Sequence, residues 1–538
     1  MSQSTSEGVV TTSASAPHLR RVLTLWDLIF YGIVLIQPIA PVPLFGVAQS
    51  LSNGYFVDTI LIAMFAMLIT AVSYGRMAAL YPSAGSAYTY VGRGLNAHLG
   101  FLVGWAMFLD YLLQPLINTV WIATALHSRY VPAMPYILGA ALIAAIITLL
   151  NLAGIRSSAR ANKVMLVAMS IVIVAFVILA VHYLYHGSGW SGLLSTQPFY
   201  NPETFNAHQI WGATSFAALT YIGFDGVTTL SEEVQNPKRN VLLATVVVCL
   251  FTGIFGGLEV YLGQRVWPNW HEFPNLETAF MDVCRRVGST PLFHAMGAIL
   301  IVAAFGSALT GGLGAARLLF GMGRDGVLPK RLFAHLSPRS STPTYNVILI
   351  GLLSFLGAAA LGYYGNAYEH AGELMNFGAF LAFMGVNLSA FWQFTVLGHN
   401  SGMRSSLILC SVSFGGFLFC VARWWLAAYA SGNGLTLAEA TAGYARWIGP
   451  AVCFLILSCW SLFKAAKNTG SLWSAARMVF IDGFSPLAGF LFCALIWWNL
   501  NPLAKLVGGI WFAIGISYLA VSTHGFRTKP AMVDFRES

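Results

Sequence analysis

Charged side chains are scarce in this sequence of 538 residues: Asp, Glu, Lys and Arg make up 9% of it, whereas a soluble domain carries about 25%. A water-facing surface needs charge whatever the size of the core beneath it, so this shortage excludes a large soluble protein. Hydrophobic residues make up 57% of the chain, and its mean hydropathy is +0.70. Because a bilayer core is about 30 Å thick and takes roughly 20 apolar residues as a helix, the composition predicts an all-α polytopic membrane protein.

Residue patterns for metal binding, redox chemistry and catalysis are also lacking. The seven cysteines include no CxxC pair, and most of them lie inside apolar runs. The chain has no HExxH motif, no GxSxG nucleophile motif in a strand-to-helix context and no Walker A lysine motif. These absences argue against a membrane-embedded enzyme and an ATP-driven pump. We expect no cofactor, no bound metal and no enzymatic activity.

Long apolar runs fill most of the chain. About 14 of them have the length of a membrane span: 26–50, 57–80, 98–126, 134–153, 162–185, 208–234, 241–264, 291–318, 345–363, 372–397, 405–430, 447–466, 484–500 and 503–523. We predict a disordered cytoplasmic tail at 1–22, a helical core at 23–400, additional transmembrane helices at 401–525 and a cytoplasmic tail at 526–538.

The net charge of +9 comes from basic residues in the short segments between the apolar runs. If the N-terminus is cytoplasmic and the runs alternate in direction, most of the 28 Lys and Arg residues fall on the cytoplasmic side. This bias is the usual signature of membrane orientation. It predicts a multi-pass protein of the inner (plasma) membrane with both termini in the cytoplasm and no nucleic-acid partner. The Ser- and Thr-rich start of the chain has no apolar run typical of a cleavable signal.

The first apolar run is interrupted by prolines near its middle. Its sequence there is Gln37-Pro38-Ile39-Ala40-Pro41-Val42-Pro43. Proline removes a backbone donor and clashes with the preceding turn of a helix. Irregular backbone at membrane depth persists only where it lines a cavity or is buried in protein. We therefore expect a break in the first span, with a simple proline kink as the alternative.

The sixth apolar run contains the second candidate break, Tyr221-Ile222-Gly223-Phe224-Asp225-Gly226. A charged residue flanked by glycines at membrane depth is costly unless it has a function, and glycine lets the backbone leave helical geometry. The first and sixth spans occupy corresponding positions if two five-helix halves repeat with inverted topology. Transporters with this architecture bind their substrates at such breaks.

A series of motifs resembles a known family. They are Ser73-Tyr74-Gly75, Tyr81-Pro82, Ala84-Gly85-Ser86-Ala87-Tyr88-Thr89-Tyr90, Gly100-Phe101, Gly104-Trp105, Leu109-Asp110-Tyr111-Leu112, Gly223-Phe224-Asp225-Gly226-Val227-Thr228-Thr229-Leu230-Ser231-Glu232-Glu233, Ala316-Arg317-Leu318-Leu319, Met322-Gly323-Arg324-Asp325-Gly326, Leu328-Pro329, Asn376-Phe377-Gly378-Ala379 and Val386-Asn387-Leu388. They cover roughly 20–397, and the match resumes near 484–525. In these motifs the chain resembles the amino acid–polyamine–organocation superfamily, most closely its putrescine-importer-like permeases.

The resemblance implies a LeuT-like fold of two inverted five-helix repeats, with broken helices 1 and 6 around a central site and transport by alternating access. The sequence also departs from the family's pattern. Pro38-Ile39-Ala40 replaces a Gly-x-Gly whose amides hold a substrate carboxylate in many relatives, Val42-Pro43-Leu44 lacks an acidic residue of the polyamine importer, and Met169 stands where some proton-coupled relatives have a lysine. These departures leave the substrate and the coupling ion open.

The candidate substrate-binding residues belong to the two breaks and to the third span. They are Ile36, Gln37, Pro38, Ile39, Ala40, Tyr111, Tyr221, Gly223, Phe224, Asp225 and Gly226. Asp225 is the leading candidate, because a carboxylate at mid-membrane can bind an ammonium group or a proton; capping the half-helix that begins there is the alternative. The resemblance implies that Phe224 is a gate and that Tyr111 faces the substrate, although either ring could simply pack.

The candidate gating or coupling residues are Asp110, Glu232, Glu233, Arg76, Arg317, Ser307 and Thr310. Glu232 and Glu233 are expected to form an inner-gate ion pair at the cytoplasmic end of the sixth span, with Arg317 and Arg76 as candidate partners. Asp110 is expected to face helix dipoles or buried water. Ser307 and Thr310 could bind Na⁺ in this fold, but hydrogen bonding between helices is the favoured interpretation.

These features predict a secondary active transporter that imports amino acids or polyamines. Its expected partners are a small amine or amino acid, a coupling ion and the lipid bilayer. The resemblance to the family implies H⁺ rather than Na⁺ as the coupling ion. The scarcity of acidic residues in the first span argues weakly against a dication, because a second amine needs a second carboxylate. A non-transporting membrane nutrient sensor and a Na⁺-coupled amine carrier are the alternatives.

Overall fold

The structure is a computed structural model that describes residues 21–127, 131–153, 155–201, 204–274, 276–337, 342–361, 367–431 and 437–530. Most of the predicted tail at 1–22 and of the predicted tail at 526–538 lies outside the described residues. Within these ranges the backbone is helical, and the one bridge of β type is isolated and joins Leu23 to Val234. The prediction of an all-α chain is therefore confirmed.

Eighteen α-helices occur in the described ranges. Their bounds are α1 Leu25–Ile36, α2 Pro41–Leu51, α3 Phe56–Leu80, α4 Ala87–Gly94, α5 Ala97–Ala125, α6 Tyr136–Leu152, α7 Ile155–Leu193, α8 Ala207–Ala217, α9 Pro237–Val266, α10 Ala279–Arg324, α11 Lys330–Phe333, α12 Thr344–Leu361, α13 Ala367–Phe391, α14 Ser401–Ser431, α15 Leu437–Thr469, α16 Leu472–Met478, α17 Ser485–Trp498 and α18 Pro502–Ser522. Eleven continuous helical stretches are long and apolar enough to cross a membrane, and one bent helix pair also qualifies. The chain is thus a polytopic helical membrane protein.

The first span is broken, as its prolines predict. Helix α1 starts at a capping box in which Asp27 and Thr24 satisfy each other's backbone amides. It ends at Gln37, which has a φ of +76°. Helix α2 then begins with Pro41 at its first position, where the missing amide costs nothing. The axes of α1 and α2 differ by 48°, so the chain makes a true break rather than a mild kink.

The sixth span is broken at its glycine. Helix α8 tightens into a 3₁₀ turn at Ala218–Tyr221, and a second 3₁₀ segment follows at Phe224–Leu230. Between them Gly223 has a φ of +114°, a value that residues other than glycine rarely adopt. Both interruptions predicted from the sequence are therefore present.

Spans that are five apart in the chain pack against each other. Helix α1 contacts the 3₁₀ segment Phe224–Leu230, α3 packs along α9, and α5 packs along α10. In terms of the predicted spans, these contacts join the first to the sixth, the second to the seventh and the third to the eighth. Such pairing brings both breaks to the centre of the molecule.

The last helices differ in how they meet this core. Helix α17 packs against α3 and α13, and α18 packs against α5 and α13. Helices α14 and α15 pack mainly on each other, and they reach the rest of the chain mainly through α16 and the π-helical turns Trp392–Leu397 and Val479–Phe484. The two helices therefore form a hairpin at the edge of the helical bundle.

Candidate functional site

The Asp225 carboxylate lies at the point where the two broken spans meet. Asp225 is fully buried, and the Tyr111 hydroxyl of α5 donates a hydrogen bond of 2.6 Å to its Oδ2. The carboxyl group also lies near the backbone amides of Gly223 and Gly226, as the capping interpretation predicts. Its Oδ1 nevertheless has no hydrogen-bond partner. One carboxylate oxygen is thus held by the protein and the other is free to accept a donor.

Glycines let the broken spans approach closely. A Cβ atom on Gly226 would overlap the Leu35 side chain, and one on Gly223 would lie 3.0 Å from Leu35 Cγ. Leu35 belongs to the last turn of α1. The free end of α1 and the residues around Asp225 are therefore in van der Waals contact.

The carbonyl oxygen of Leu35, at the end of α1, finds hydrogen-bond partners on two other helices. It accepts hydrogen bonds from Ser307 Oγ at 3.0 Å and from Gln114 Nε2 at 3.3 Å, and Gln114 Nε2 also lies 3.0 Å from Ser307 Oγ. A carbonyl at a helix end would otherwise be left without a partner at membrane depth. Gln114 was not predicted from the sequence, although amide side chains inside an apolar run, here Gln114 and Asn118, were a usable signal.

Ser307 and Thr310 both donate their hydroxyl groups to backbone carbonyls. Thr310 Oγ1 lies 2.9 Å from the Gly306 oxygen and 3.1 Å from the Ser307 oxygen, and its own carbonyl accepts from Tyr31. This is the arrangement that the interpretation as bonds within and between helices predicts. In the described ranges, no group of three or more His, Cys, Asp or Glu side chains is placed so that it could hold a metal ion.

A cavity lies beside the breaks. Three of the predicted substrate-binding residues, Ile36, Gln37 and Ala40, line it. The lining from other spans is Gln114, Asn118, Ile222, Leu219, Ser307 and Met375, with further apolar neighbours. Of the remaining predicted residues of the first break, Pro38 and Ile39 are buried. The wall of the cavity is polar and apolar in about equal parts, with amide and hydroxyl groups beside aliphatic side chains. Small-molecule sites commonly combine apolar surface with a few polar groups that orient the ligand.

Phe224 and Tyr221 have different surroundings. Phe224 is fully buried, and its ring lies 5.6 Å from the Tyr74 ring and 5.1 Å from the Phe383 ring. The Tyr221 hydroxyl donates to the carbonyl oxygen of Ile60 at 2.9 Å. Tyr221 therefore points toward α3, and Phe224 belongs to an aromatic group between α3 and α13.

Asp110 is fully buried one residue before Tyr111, and neither of its carboxylate oxygens has a hydrogen-bond partner. The expectation that it faces helix dipoles is not supported by a hydrogen bond to any described group. Asp110 precedes Tyr111 on α5, and the Tyr111 hydroxyl binds Asp225. The third span thus carries a second buried carboxylate next to the residue that holds the leading candidate.

Glu232 and Glu233 join three segments on the predicted cytoplasmic side. Arg317 Nε lies 2.7 Å from Glu233 Oε1, and Arg324 binds both carboxylate oxygens of Glu232. The backbone amide of Ala84 also donates to Glu232 at 2.8 Å. These side chains are less than a tenth exposed. The ion pairs close that side of the bundle between the sixth span, the loop before α4 and the end of α10.

The expected partnership of Arg76 with these glutamates is wrong. Arg76 binds Asp482 and the carbonyl oxygen of Ile481, and its guanidinium stacks on the Phe394 ring. Arg324, and not Arg76, is the second arginine that binds these glutamates. It stands in the quoted motif Met322-Gly323-Arg324-Asp325-Gly326, so a signal for it was present, but sequence does not tell which end of a span meets which partner.

Comparison with known proteins gives a consistent set of relatives. The sequence profile of the family described as "Amino acid permease" matches residues 23–431. The low-affinity putrescine importer PlaP of Escherichia coli (strain K12) is 29% identical over 520 residues, which cover 96% of this chain and 97% of that protein. The branched-chain amino acid permease BcaP of Lactococcus lactis subsp. cremoris is 23% identical over 93% of this chain and 94% of that protein.

Two further proteins show similarity to this chain over a smaller share of its length or at lower identity. The vacuolar cationic amino acid transporter 4 of Arabidopsis thaliana is 28% identical over 390 residues, which cover 69% of this chain and 63% of that protein. Among solved structures, the manganese transporter of Eremococcus coleocola aligns with 85% of this chain and 99% of its own at 12% identity and a TM-score of 0.47.

Proposed function

Because this chain belongs to the amino acid permease family, a family of transporters and not of enzymes, we propose that it imports amino acids or polyamines across the cytoplasmic membrane. In this proposal it is a secondary active transporter that works by alternating access and proton symport. Its substrate would bind where the first and sixth spans are interrupted, with Asp225 as the group that receives an ammonium.

The observation that carries this proposal is the buried Asp225 carboxylate with one free oxygen, at the point where two broken spans meet. The cavity beside the same breaks is lined by other residues, among them Gln37 and Ile222. A carboxylate at membrane depth is retained where it binds a cationic group or a proton. The names of two relatives give the range of substrates, a putrescine importer and a branched-chain amino acid permease. Every substrate in that range carries an ammonium group, which is the part that Asp225 would recognise.

Alternating access would use the closed side as its inner gate. The Glu233–Arg317 and Glu232–Arg324 pairs hold the predicted cytoplasmic side shut, while the cavity lies beside the outer half-helix α2. Release of substrate to the cytoplasm would require these pairs to separate. The coupling ion in this proposal is H⁺, as the resemblance to the family implies. The Ser307 and Thr310 hydroxyls donate to carbonyl oxygens, which leaves their lone pairs available, so the sodium-free assay below decides between H⁺ and Na⁺.

Uptake into proteoliposomes tests the proposal directly. The purified protein is reconstituted and given labelled putrescine, neutral amino acids and cationic amino acids, with and without an imposed proton gradient in sodium-free buffer. We expect accumulation of at least one of them that stops when a protonophore collapses the gradient. Binding without accumulation would instead identify a nutrient sensor, and accumulation that requires sodium would identify a Na⁺-coupled carrier.

A further inference from the structure

The Asp110 carboxyl group is not used by the fold. It is fully buried on α5, and neither oxygen has a hydrogen-bond partner. A buried carboxylate without compensation costs a protein several kcal/mol or forces the group to become neutral. Such groups at membrane depth mark the binding of a cation or a proton. Asp110 is therefore a candidate for ligand binding on its own geometry.

The groups around Asp110 are also short of partners. Tyr74, on α3, is fully buried, and its hydroxyl has no hydrogen-bond partner. Its ring packs on Phe224, the residue before Asp225, and its hydroxyl lies near enough to both carboxyl groups to interact with them electrostatically. Two carboxylates and one hydroxyl thus form a buried cluster. Two buried carboxylates in one region disfavour each other's charge unless a cation or a proton compensates it.

Aromatic rings pack beside this buried cluster. Tyr74 packs edge to face on Phe224 and on Phe383, with ring centroids 5.6 and 5.7 Å apart. The Phe224 and Phe383 rings lie 5.1 Å from each other. Aromatic faces attract ammonium groups and bury alkyl chains. These surroundings therefore suit an organic cation better than a hydrated metal ion.

The break between α1 and α2 offers little to a substrate carboxylate. The amides of Gln37, Ala40 and Val42 already donate to backbone carbonyl oxygens at 2.9 to 3.0 Å. The prolines at positions 38 and 41 have no amide. No two neighbouring amides therefore remain free in this break. An α-amino acid would bring its carboxylate to a place that has few donors and two negative charges.

We propose that Asp110 and Asp225 together form a receptor for a linear diamine, in which Asp225 binds one ammonium group and Asp110 binds the other. The rings of Tyr74 and Phe224 would enclose the alkyl chain. This assignment rests on the proposed transport function, and it makes Asp110 the residue that selects a diamine over a monoamine or an α-amino acid. It also supplies, from the third span, the second carboxylate that the first span lacks.

The test compares diaminobutane with butylamine in the uptake assay for wild-type protein and Asp110→Asn. Asn has nearly the shape of Asp, so the change removes the charge and leaves the packing. We expect wild-type protein to prefer the diamine by roughly 30-fold or more, because a lost buried charge pair costs about 2–5 kcal/mol. Asp110→Asn should reduce this preference to less than about threefold by weakening the diamine alone.

Glu259→Gln is the matched control. Glu259, on α9, is 1% exposed and both of its carboxylate oxygens lack hydrogen-bond partners, so it undergoes the same chemical change outside the buried cluster. Glu259 is not one of the buried residues Asp110, Asp225 and Tyr74, so we expect this variant to keep the wild-type preference. Equal loss of preference in both variants, or a preference unchanged in Asp110→Asn, would overturn the assignment of Asp110.

The variant Asp110→Glu provides a second test, based on the chain length of the preferred diamine, which a purely structural role of Asp110 would not change. It keeps the charge and lengthens the side chain by one methylene group, which in this proposal shortens the gap to Asp225. Across the series from diaminopropane to diaminohexane, we expect the best substrate to become shorter by about one methylene; an unchanged optimum contradicts the proposal. If wild-type protein takes up no amine or amino acid, the proposed function fails and this assignment fails with it.

Discussion

The hydrogen bond from Tyr111 holds Asp225 in one position while leaving its second oxygen free. It measures 2.6 Å and lies wholly inside the protein. Hydrogen bonds to a charged group contribute about 1.5–3 kcal/mol each. Tyr111 thus both orients the carboxylate and lowers the cost of keeping it charged before a substrate arrives.

Tyr111→Phe should therefore weaken substrate binding without unfolding the protein. The loss of one charge-assisted bond predicts a rise in the KM for uptake of about tenfold or more. Uptake kinetics in proteoliposomes measure it. Tyr136→Phe is the control, because the Tyr136 hydroxyl donates to the Ala358 carbonyl oxygen away from the site. Equal KM values for the two variants would mean that Tyr111 only packs.

Individual side-chain partners were the hardest features to predict. Asp225 stood out because a charge between two glycines in an apolar run is rare, and Asp225 does lie at the meeting point of the breaks. The pairing of Glu232 with Arg324 instead of Arg76 depends on how two distant helices are rotated and how deep each one sits. Sequence periodicity predicts which face of a helix is buried. It does not predict how far the helix is shifted along its axis relative to a particular neighbouring helix.

At the scale of the element, the break in the sixth span depends on Gly223. Its φ of +114° is a conformation that costs other residues of order 1–3 kcal/mol, and its neighbour in space is the last turn of α1. The strain and the close approach both act at the position where the chain must leave helical geometry.

Gly223→Ala should consequently lower the melting temperature of the purified protein and reduce uptake. Gly212→Ala is a control on α8 of the same span: a Cβ atom there would meet no other atom within 4 Å. Alanine favours a helix over glycine by about 1 kcal/mol, so Gly212→Ala should leave stability equal or slightly raised. A Gly223→Ala variant that melts and transports like Gly212→Ala would show that the left-handed backbone is not required.

Helices were predicted well where apolar length decided them and less well where it did not. Prolines and apolar runs act locally, so the start of α3 at Phe56 and the break at 37–40 followed from sequence. Helix α10 begins at Ala279, twelve residues before the predicted span, and bends at Gly288–Ser289. Its first turns carry Asp282, Arg285 and Arg286, and charged residues lower the hydropathy on which a prediction of spans depends.

At the scale of the whole molecule, the two sides of the bundle differ. One side is closed by buried ion pairs that link the sixth span to α10, and a cavity lies beside the breaks toward α2. Breaking one partner of a buried pair costs about 3–5 kcal/mol. That energy is large enough to decide which side of a transporter is open.

Arg317→Gln should open the closed side. Cys249 is fully buried on α9, which packs against α1 and against the 3₁₀ segment Phe224–Leu230, so it reports on access to the site. We expect a cytoplasmic-side thiol reagent to modify Cys249 at least about tenfold faster in the variant, measured by mass spectrometry of its peptide. Arg76→Gln, which breaks the Asp482 pair elsewhere, should leave the rate unchanged. Unaltered labelling in Arg317→Gln would contradict a gating role.

The central claim is that the two interrupted spans hold an amine through Asp225. Equilibrium binding of labelled diaminobutane and of labelled amino acids to the purified protein and to Asp225→Asn tests it most directly, with the melting temperature of each protein as a check on folding. We predict saturable binding of at least one of these ligands by the wild-type protein and none of it by a folded Asp225→Asn variant. Undiminished binding by that variant would contradict the claim.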